Sequence, residues 1–205
     1  FLGAEFPGQT DYQLISGNGT LIRYFGTQES VAIRGTVKAI AAGAFENNYT
    51  LKSINVPGTA TVIGDRAFKN CVALQQVLLS QGIEKIGKEA FYKFDRLETV
   101  DFGEALVEIG VRAFYGCDDI EYLHLPATFR KFGAESFREC MDLKFVYCDG
   151  PMPRFEDSCL YTGNYIAVFY PTNNPWPLEH IEQLEGAFQG RIEFLAEDGF
   201  DPYEP

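Results

Sequence analysis

Motifs that would identify an enzyme are scarce in this chain of 205 residues. It has two histidines, His124 and His180, and no Gly-x-Ser-x-Gly, His-Glu-x-x-His or phosphate-binding-loop pattern. Its five cysteines form no Cys-x-x-Cys pair, which disfavours a zinc site. Two acidic pairs, at 118–119 and 156–157, fall in predicted turns, and we interpret them as solvated carboxylates rather than calcium ligands. We therefore expect a non-enzymatic protein with no metal and no cofactor.

Basic charge and long apolar runs are also scarce. Asp and Glu number 29 against 17 Lys and Arg, so the net charge is -12. Nucleic-acid binding needs clustered basic residues, and anionic membranes attract the same residues, so neither is an expected partner. No apolar run approaches the ~20 residues that cross a bilayer, so we expect no membrane insertion. Because like-charged copies repel each other, we also expect a monomer.

What the sequence does contain is an internal repeat of 23 residues. Full blocks begin at residues 35, 58, 81, 104 and 127, and a shortened, degenerate sixth block begins near Gly150. Three apolar columns recur at this spacing: Ile40, Ile63, Ile86, Ile109 and Phe132; Phe45, Phe68, Phe91, Phe114 and Phe137; and Leu51, Leu74, Leu97, Ile120 and Leu143. A five-fold match at three columns is very unlikely by chance, so the blocks are predicted to stack.

Each block contains two segments with different apolar spacing. The Leu-x-x-Ile-x-Val segment, as at Leu51, Ile54 and Val56, is typical of a short strand that enters a turn. The Ala-Phe-x-x-Cys segment, as at 67–71, places its apolar side chains on one face of a short helix. One block cannot bury both segments alone. We therefore predict an α/β solenoid of stacked strand and short-helix units.

The signature Ile-Gly-x-x-Ala-Phe-x-x-Cys-x-x-Leu-x-x-Val occurs at 63–77 and, with Ile120 and Leu123 as its last two apolar residues, at 109–123; it resembles the BspA-like, treponemal-type leucine-rich repeats. The resemblance covers roughly residues 31–170. Asn48 and Phe94 replace the Cys, and the sixth block lacks the Ala-Phe pair. The resemblance implies a bacterial secreted or cell-surface protein with roles in adhesion and protein recognition. Residues 1–6 show no leader, so we expect that one has been removed or that the chain is a fragment.

The sequence predicts three parts. Residues 1–34 form an N-terminal β-hairpin cap, 35–164 carry five full repeats and one degenerate repeat, and 165–205 hold a last strand, a C-terminal cap and an acidic tail. In the first part, 12–16 and 20–25 flank Asn18-Gly19, a favoured pair for a type I′ turn. In the last part, 178–188 has helical apolar spacing and 191–195 is a predicted strand.

The cysteines are predicted to be buried. Cys71, Cys117 and Cys140 share one repeat column, and Cys148 and Cys159 also occupy inward positions, where a thiol acts as a small apolar group. A disulfide between Cys117 and Cys140 stays open as an alternative, although parallel side chains of a stack rarely meet disulfide geometry. A catalytic dyad with His124 is disfavoured because buried thiols are inert.

The outward positions of the strands line up in columns when the blocks stack. The middle column reads Ser53, Gln76, Thr99, Tyr122, Phe145 and Ala167, and the last reads Asn55, Leu78, Asp101, His124, Tyr147 and Phe169. The aromatic patch, as we name Tyr122, His124, Phe145, Tyr147 and Phe169, therefore gathers in the C-terminal half. Contiguous exposed aromatics suggest a contact surface. Alternatively, the C-terminal segment covers them, or they form a contact between copies.

These features predict an extracellular or cell-surface module that binds a host or cell-surface protein through its strand face. Two alternatives remain open. One is a structural spacer within a larger surface protein, and the other is a carbohydrate-binding module, because glycan sites also use exposed aromatics. The first outward column has mixed charge and indicates no ligand class; it reads Lys52, Gln75, Glu98, Glu121, Lys144 and Ile166.

Overall fold

The computed structural model describes residues 13–94, 96–98, 100–188 and 191–196. Its elements are β1 (Gln13–Ile15), β2 (Thr20–Tyr24), β3 (Ser30–Ala32), β4 (Ala39–Ile40), β5 (Ser53–Asn55), β6 (Val62–Ile63), β7 (Gln76–Leu78), β8 (Lys85–Ile86), β9 (Glu108–Ile109), β10 (Tyr122–Leu125), β11 (Lys131–Phe132), β12 (Phe145–Cys148), β13 (Arg154–Phe155), β14 (Ile166–Tyr170), α1 (Leu178–Ala187) and β15 (Ile192–Ala196). The predicted tail at 197–205 and Tyr12 lie outside the described residues.

Each block makes one turn of a solenoid, and each turn has three sides. The first side is an eight-stranded sheet in the order β1-β2-β4-β6-β8-β9-β11-β13. The second, which we call the strand face, holds the sheets β3-β5-β7 and β10-β12-β14-β15. All strand pairs are parallel except the hairpin β1-β2. Ile40 pairs with Ile63, and Ile63 pairs with Ile86, so the predicted solenoid and its 23-residue spacing are confirmed.

The third side, which we call the turn side, consists of tight turns where short α-helices were predicted. Two residues four positions apart adopt left-handed φ angles in each of five blocks: Gly43 and Asn47, Arg66 and Asn70, Glu89 and Lys93, Arg112 and Gly116, and Glu135 and Glu139. These angles prevent a continuous α-helix. They also direct alternate N–H groups toward the next block: Arg66 N donates to Lys88 O at 2.7 Å, and Phe68 N donates to Ala90 O at 3.0 Å.

A stack of aromatic rings runs along the solenoid interior. The rings of Phe45, Phe68, Phe91, Phe114 and Phe137 are buried, and successive centroids are 5.0, 5.2, 5.1 and 5.0 Å apart. This interval approaches the ~4.8 Å separation of hydrogen-bonded strands, so one ring per turn fills the interior without a gap. Each stacked pair adds roughly 0.5–1.5 kcal/mol beyond the burial of apolar area.

The N-terminal hairpin closes the first turn, but its predicted type I′ turn is wrong. Gly19 N donates to Ser16 O at 3.0 Å, which places Gly17 and Asn18 at the centre of the turn. Only Gly19 has a positive φ, of 86°, whereas a type I′ turn requires positive φ at both central residues. The buried Gln13 side chain anchors the hairpin, because its Nε2 donates to Ala32 O at 3.0 Å.

The C-terminal cap covers the last turn with aromatic side chains. Tyr170 and Trp176 stack with centroids 5.0 Å apart, and Phe155 and Phe194 pack against the Trp176 ring. The indole Nε1 donates to Gly150 O at 3.2 Å, which satisfies its only polar group. Helix α1 and strand β15 follow, so both the predicted helix and the predicted last strand are confirmed.

A glycine follows the Ile column at four successive positions, Gly64, Gly87, Gly110 and Gly133. At Gly110 an added Cβ would lie 2.7 Å from the backbone of both Gly87 and Lys88. Backbone atoms of the preceding turn cannot move aside as a flexible side chain can. Close contact between turns therefore requires glycine here.

We predict that Gly110→Ala lowers the free energy of unfolding by about 2 kcal/mol or more, because the new methyl group forces two turns apart. The matched control is Gly58→Ala, where the added Cβ meets nothing within 4 Å. The control should change the free energy of unfolding by less than about 1 kcal/mol. Urea denaturation followed by circular dichroism measures both, and equal losses would refute the proposed contact.

Candidate functional site

The aromatic patch lies on three adjacent strands of the strand face, β10, β12 and β14. Tyr122 pairs with Phe145 in one column, and in the other His124 pairs with Tyr147, which pairs with Phe169. The structure therefore brings all five predicted site residues together. They share this face because alternate residues of a strand point to the same side of a sheet.

Some side chains of the patch are exposed to solvent, and others are buried by their neighbours within the patch. Phe145 is 43% exposed, whereas Tyr147 is 8% exposed. The Tyr147 ring stacks on Phe169 at 4.7 Å, and its centroid lies 6.5 Å from that of Phe145. Tyr122, His124 and Phe169 are half-buried. Phe145 is therefore the accessible apolar side chain, and Tyr147 supports it from within the patch.

His124 forms the polar end of the patch. Its Nε2 lies 3.0 Å from Asp149 Oδ1. The hydrogen bond to Asp149 raises the pKa of His124 above its usual value, and the carboxylates of Glu104 and Asp101 act in the same direction, against the effect of partial burial. The imidazole is thus surrounded by negative charge.

A cavity of about 590 Å³ lies on the strand face beside β7, and its lining includes Asp101, one of the carboxylates that act on His124. Its lining includes Leu78, Arg96, Glu98, Asp101 and Asp119. The sequence pattern predicts a strand here, but residues 96–98, 100 and 101 form none, and Thr99 lies outside the described residues. The cavity occupies the interval between the two sheets of the strand face.

The cysteines are buried, as the repeat column predicts. Each Sγ of the column donates to the carbonyl of a phenylalanine in the preceding block: Cys71 to Phe45 at 3.1 Å, Cys117 to Phe91 at 3.2 Å and Cys140 to Phe114 at 3.0 Å. Cys140 is a free thiol, so the disulfide that the sequence left open is not formed.

Burial keeps these thiols protonated. It raises the pKa of Cys71 and of Cys140 to about 12, and it also raises the pKa of Cys148 and Cys159. The thiolate is the nucleophilic form of cysteine, so these four side chains are poor nucleophiles near neutral pH.

Among the residues that the structure describes, no three His, Cys, Asp or Glu side chains are grouped to hold a metal ion. Within the same residues no helix has the length and apolarity to cross a bilayer.

Several polar members of the site were missed by the sequence reasoning. Asp149 lies 25 residues after His124, two beyond the repeat partner Tyr147, so the repeat spacing alone could have placed it diagonally across from the imidazole. The repeat spacing places Asp101 in the column of His124, but it does not indicate that Asp101 raises the pKa of the imidazole. The cavity depends on the loss of one strand, which no residue pattern signals.

The fold resembles three solved structures. The leucine-rich repeat protein of T. pallidum matches with a TM-score of 0.71 and 21% identity, over 94% of this chain and 100% of that one. A leucine-rich cell surface protein of Faecalibacterium prausnitzii matches with a TM-score of 0.66 and 21% identity, over 82% of this chain and 48% of that one. The pneumococcal vaccine antigen PcpA matches with a TM-score of 0.51 and 17% identity, over 91% of this chain and 46% of that one.

The sequence comparison gives the family. No curated protein matches the chain in sequence. The family model described as the BspA-type leucine-rich repeat region, however, matches six copies across residues 24–164, in the span where the structure shows the stacked turns. The protein thus belongs to the BspA-type leucine-rich repeat family.

Proposed function

We propose that this chain is an extracellular protein-recognition module and that the aromatic patch is its binding site. The proposal rests on the exposure of Phe145, whose aromatic ring is 43% exposed on strand β12. Exposed aromatic rings bury large apolar areas with little loss of side-chain freedom, which is why they dominate protein contact sites. Leucine-rich repeat proteins generally bind other proteins, which supports the same reading.

The rigidity of the patch supports this role. Parallel pairing of β12 with β10 and β14 holds Phe145 from both sides. The stacked rings of Tyr147 and Phe169 lie beside it and restrict its movement. A rigid surface loses little conformational entropy on binding, so most of the contact energy contributes to affinity.

An extracellular location is part of the proposal. The F. prausnitzii relative in fold is described as a cell surface protein, and the family resemblance implies secretion or surface attachment. The spacer and glycan-binding alternatives predict different outcomes in a binding experiment. A spacer binds neither proteins nor glycans through the patch, whereas a carbohydrate-binding module binds glycans there.

We predict that Phe145→Ala removes protein binding by this chain while leaving the fold intact. The test applies the labelled chain to an array of purified extracellular proteins and, in parallel, to a glycan array. Loss of a central aromatic contact weakens binding by roughly 2 kcal/mol or more, about thirtyfold, so array signals should disappear. Because Phe145 is half-exposed, the free energy of unfolding should fall by less than about 2 kcal/mol.

The matched control is Tyr49→Ala, which removes an aromatic ring that is 61% exposed and far from the patch. This control should bind the same proteins as the wild type. Protein signals that survive Phe145→Ala would contradict the assignment of the patch. Signals on the glycan array alone would establish the carbohydrate-binding alternative, and the absence of all patch-dependent binding would favour the spacer.

The His124–Asp149 pair gives a pH prediction. The pKa of His124 is raised in the folded chain, so its stabilising contribution is complete below the unfolded value of about 6.5 and is lost as pH rises through the folded value. The wild type should therefore be more stable relative to His124→Gln at about pH 5 than at about pH 8. An NMR titration should give His124 a midpoint above 6.5 that falls in Asp149→Asn. An unchanged midpoint would contradict the pair.

A further inference from the structure

The surface around the aromatic patch carries mostly negative charge. Asp149 is hydrogen-bonded to His124, and Asp101 and Glu104 are near enough to His124 to raise its pKa. All three carboxylates belong to exposed residues. We call Asp101, Glu104 and Asp149 the acidic rim.

Two lysines near the acidic rim's face of the solenoid do not offset its charge, because each already has an acidic partner. Lys144 Nζ lies 3.5 Å from Glu121 Oε1, beside Phe145, and Lys52 Nζ lies 2.8 Å from Glu29 Oε1. Arg96 lines the cavity beside β7 together with Glu98, Asp101 and Asp119, so carboxylates outnumber the single guanidinium there. Negative charge therefore predominates beside an exposed apolar ring.

This charge argues against two other occupants of the patch. A second copy of the chain would bring a further net charge of -12 to the contact. The end segments of the chain would not neutralise the rim either: residues 1–12 and 197–205 contain no Lys or Arg, and the latter contain four carboxylates. A partner of the opposite sign is required for charge complementarity.

We infer that the partner of the aromatic patch is a basic protein segment, which places an apolar side chain on Phe145 and a lysine or arginine against the acidic rim. The inference rests on the proposed function and names the chemistry of its partner. The cavity beside Asp101 has a volume of about 590 Å³, enough to admit a long basic side chain. Its carboxylates at Glu98, Asp101 and Asp119 would meet the cationic end of that side chain.

The test uses two short fluorescent peptides with the same alternating leucines, one with arginines and lysines at the intervening positions and one with glutamates. Fluorescence anisotropy of the full chain with each peptide measures affinity at about 50 mM and at about 500 mM salt. The basic peptide should bind and the acidic peptide should not. The higher salt concentration should weaken binding by the basic peptide severalfold, because exposed charge pairs are screened.

The decisive variant is Asp101→Asn with Glu104→Gln. Asparagine keeps the oxygen that accepts from Gly103 N at 2.9 Å, so the local turn is preserved. We expect the basic peptide to bind about three- to tenfold more weakly, since each exposed charge pair contributes modestly. The control, Glu46→Gln with Glu84→Gln, changes the net charge equally on other sides of the solenoid and should leave the affinity unchanged.

Three results would overturn the inference. An equal loss of affinity in the control would mean that the peptide responds only to the net charge of the chain. Salt-independent binding of both peptides, lost in Phe145→Ala, would mean that the patch recognises apolar groups without regard to charge, in which case the proposed function stands and this inference fails. If Phe145→Ala binds the basic peptide as tightly as the wild type, the patch is not the site and both proposals fail.

Discussion

The distance between successive turns determines which side chains can pack inside this solenoid. Backbone hydrogen bonds join neighbouring turns through the eight-stranded sheet, through the two separate sheets of the strand face and through the alternate N–H groups of the turn side. The resulting separation of about 5 Å is also the stacking distance of aromatic rings, so a phenylalanine can recur in every block. The same separation requires glycine at Gly87 and Gly110, where a methyl group would meet backbone atoms.

Because successive turns are evenly spaced, the positions of the outward side chains on the strand face can be inferred from the repeating sequence. Because Tyr122 pairs with Phe145 and His124 with Tyr147, residues far apart in sequence become neighbours at a known distance. The C-terminal half of the strand face thereby gathers aromatic side chains, whereas the same columns in the N-terminal half hold Ser53, Gln76, Asn55 and Leu78, none of them aromatic. The difference between the halves supports a localised binding site, with apolar contact at Phe145 and negative charge beside it.

Features that depend on the repeat could be predicted from the sequence, and features that depend on local backbone angles could not. The Phe column, the strand pairing and the location of the aromatic patch follow from a period of 23 residues. The apolar spacing predicts a helix on the turn side, because it does not reveal which residues adopt left-handed φ angles. Arg66 and Glu89 adopt such angles although neither is a glycine. Burial of Tyr147 depends on ring orientation, which no column specifies.

Site-specific photo-crosslinking shows whether Phe145 contacts a protein partner. A benzophenone amino acid replaces Phe145 in an otherwise unchanged chain. This chain is mixed with a protein that binds the wild-type chain on the array, and the mixture is irradiated. We expect a covalent adduct from position 145 and none from position 49, which lies on the turn side. Equal adducts from both positions, or an adduct from position 49 alone, would contradict this expectation.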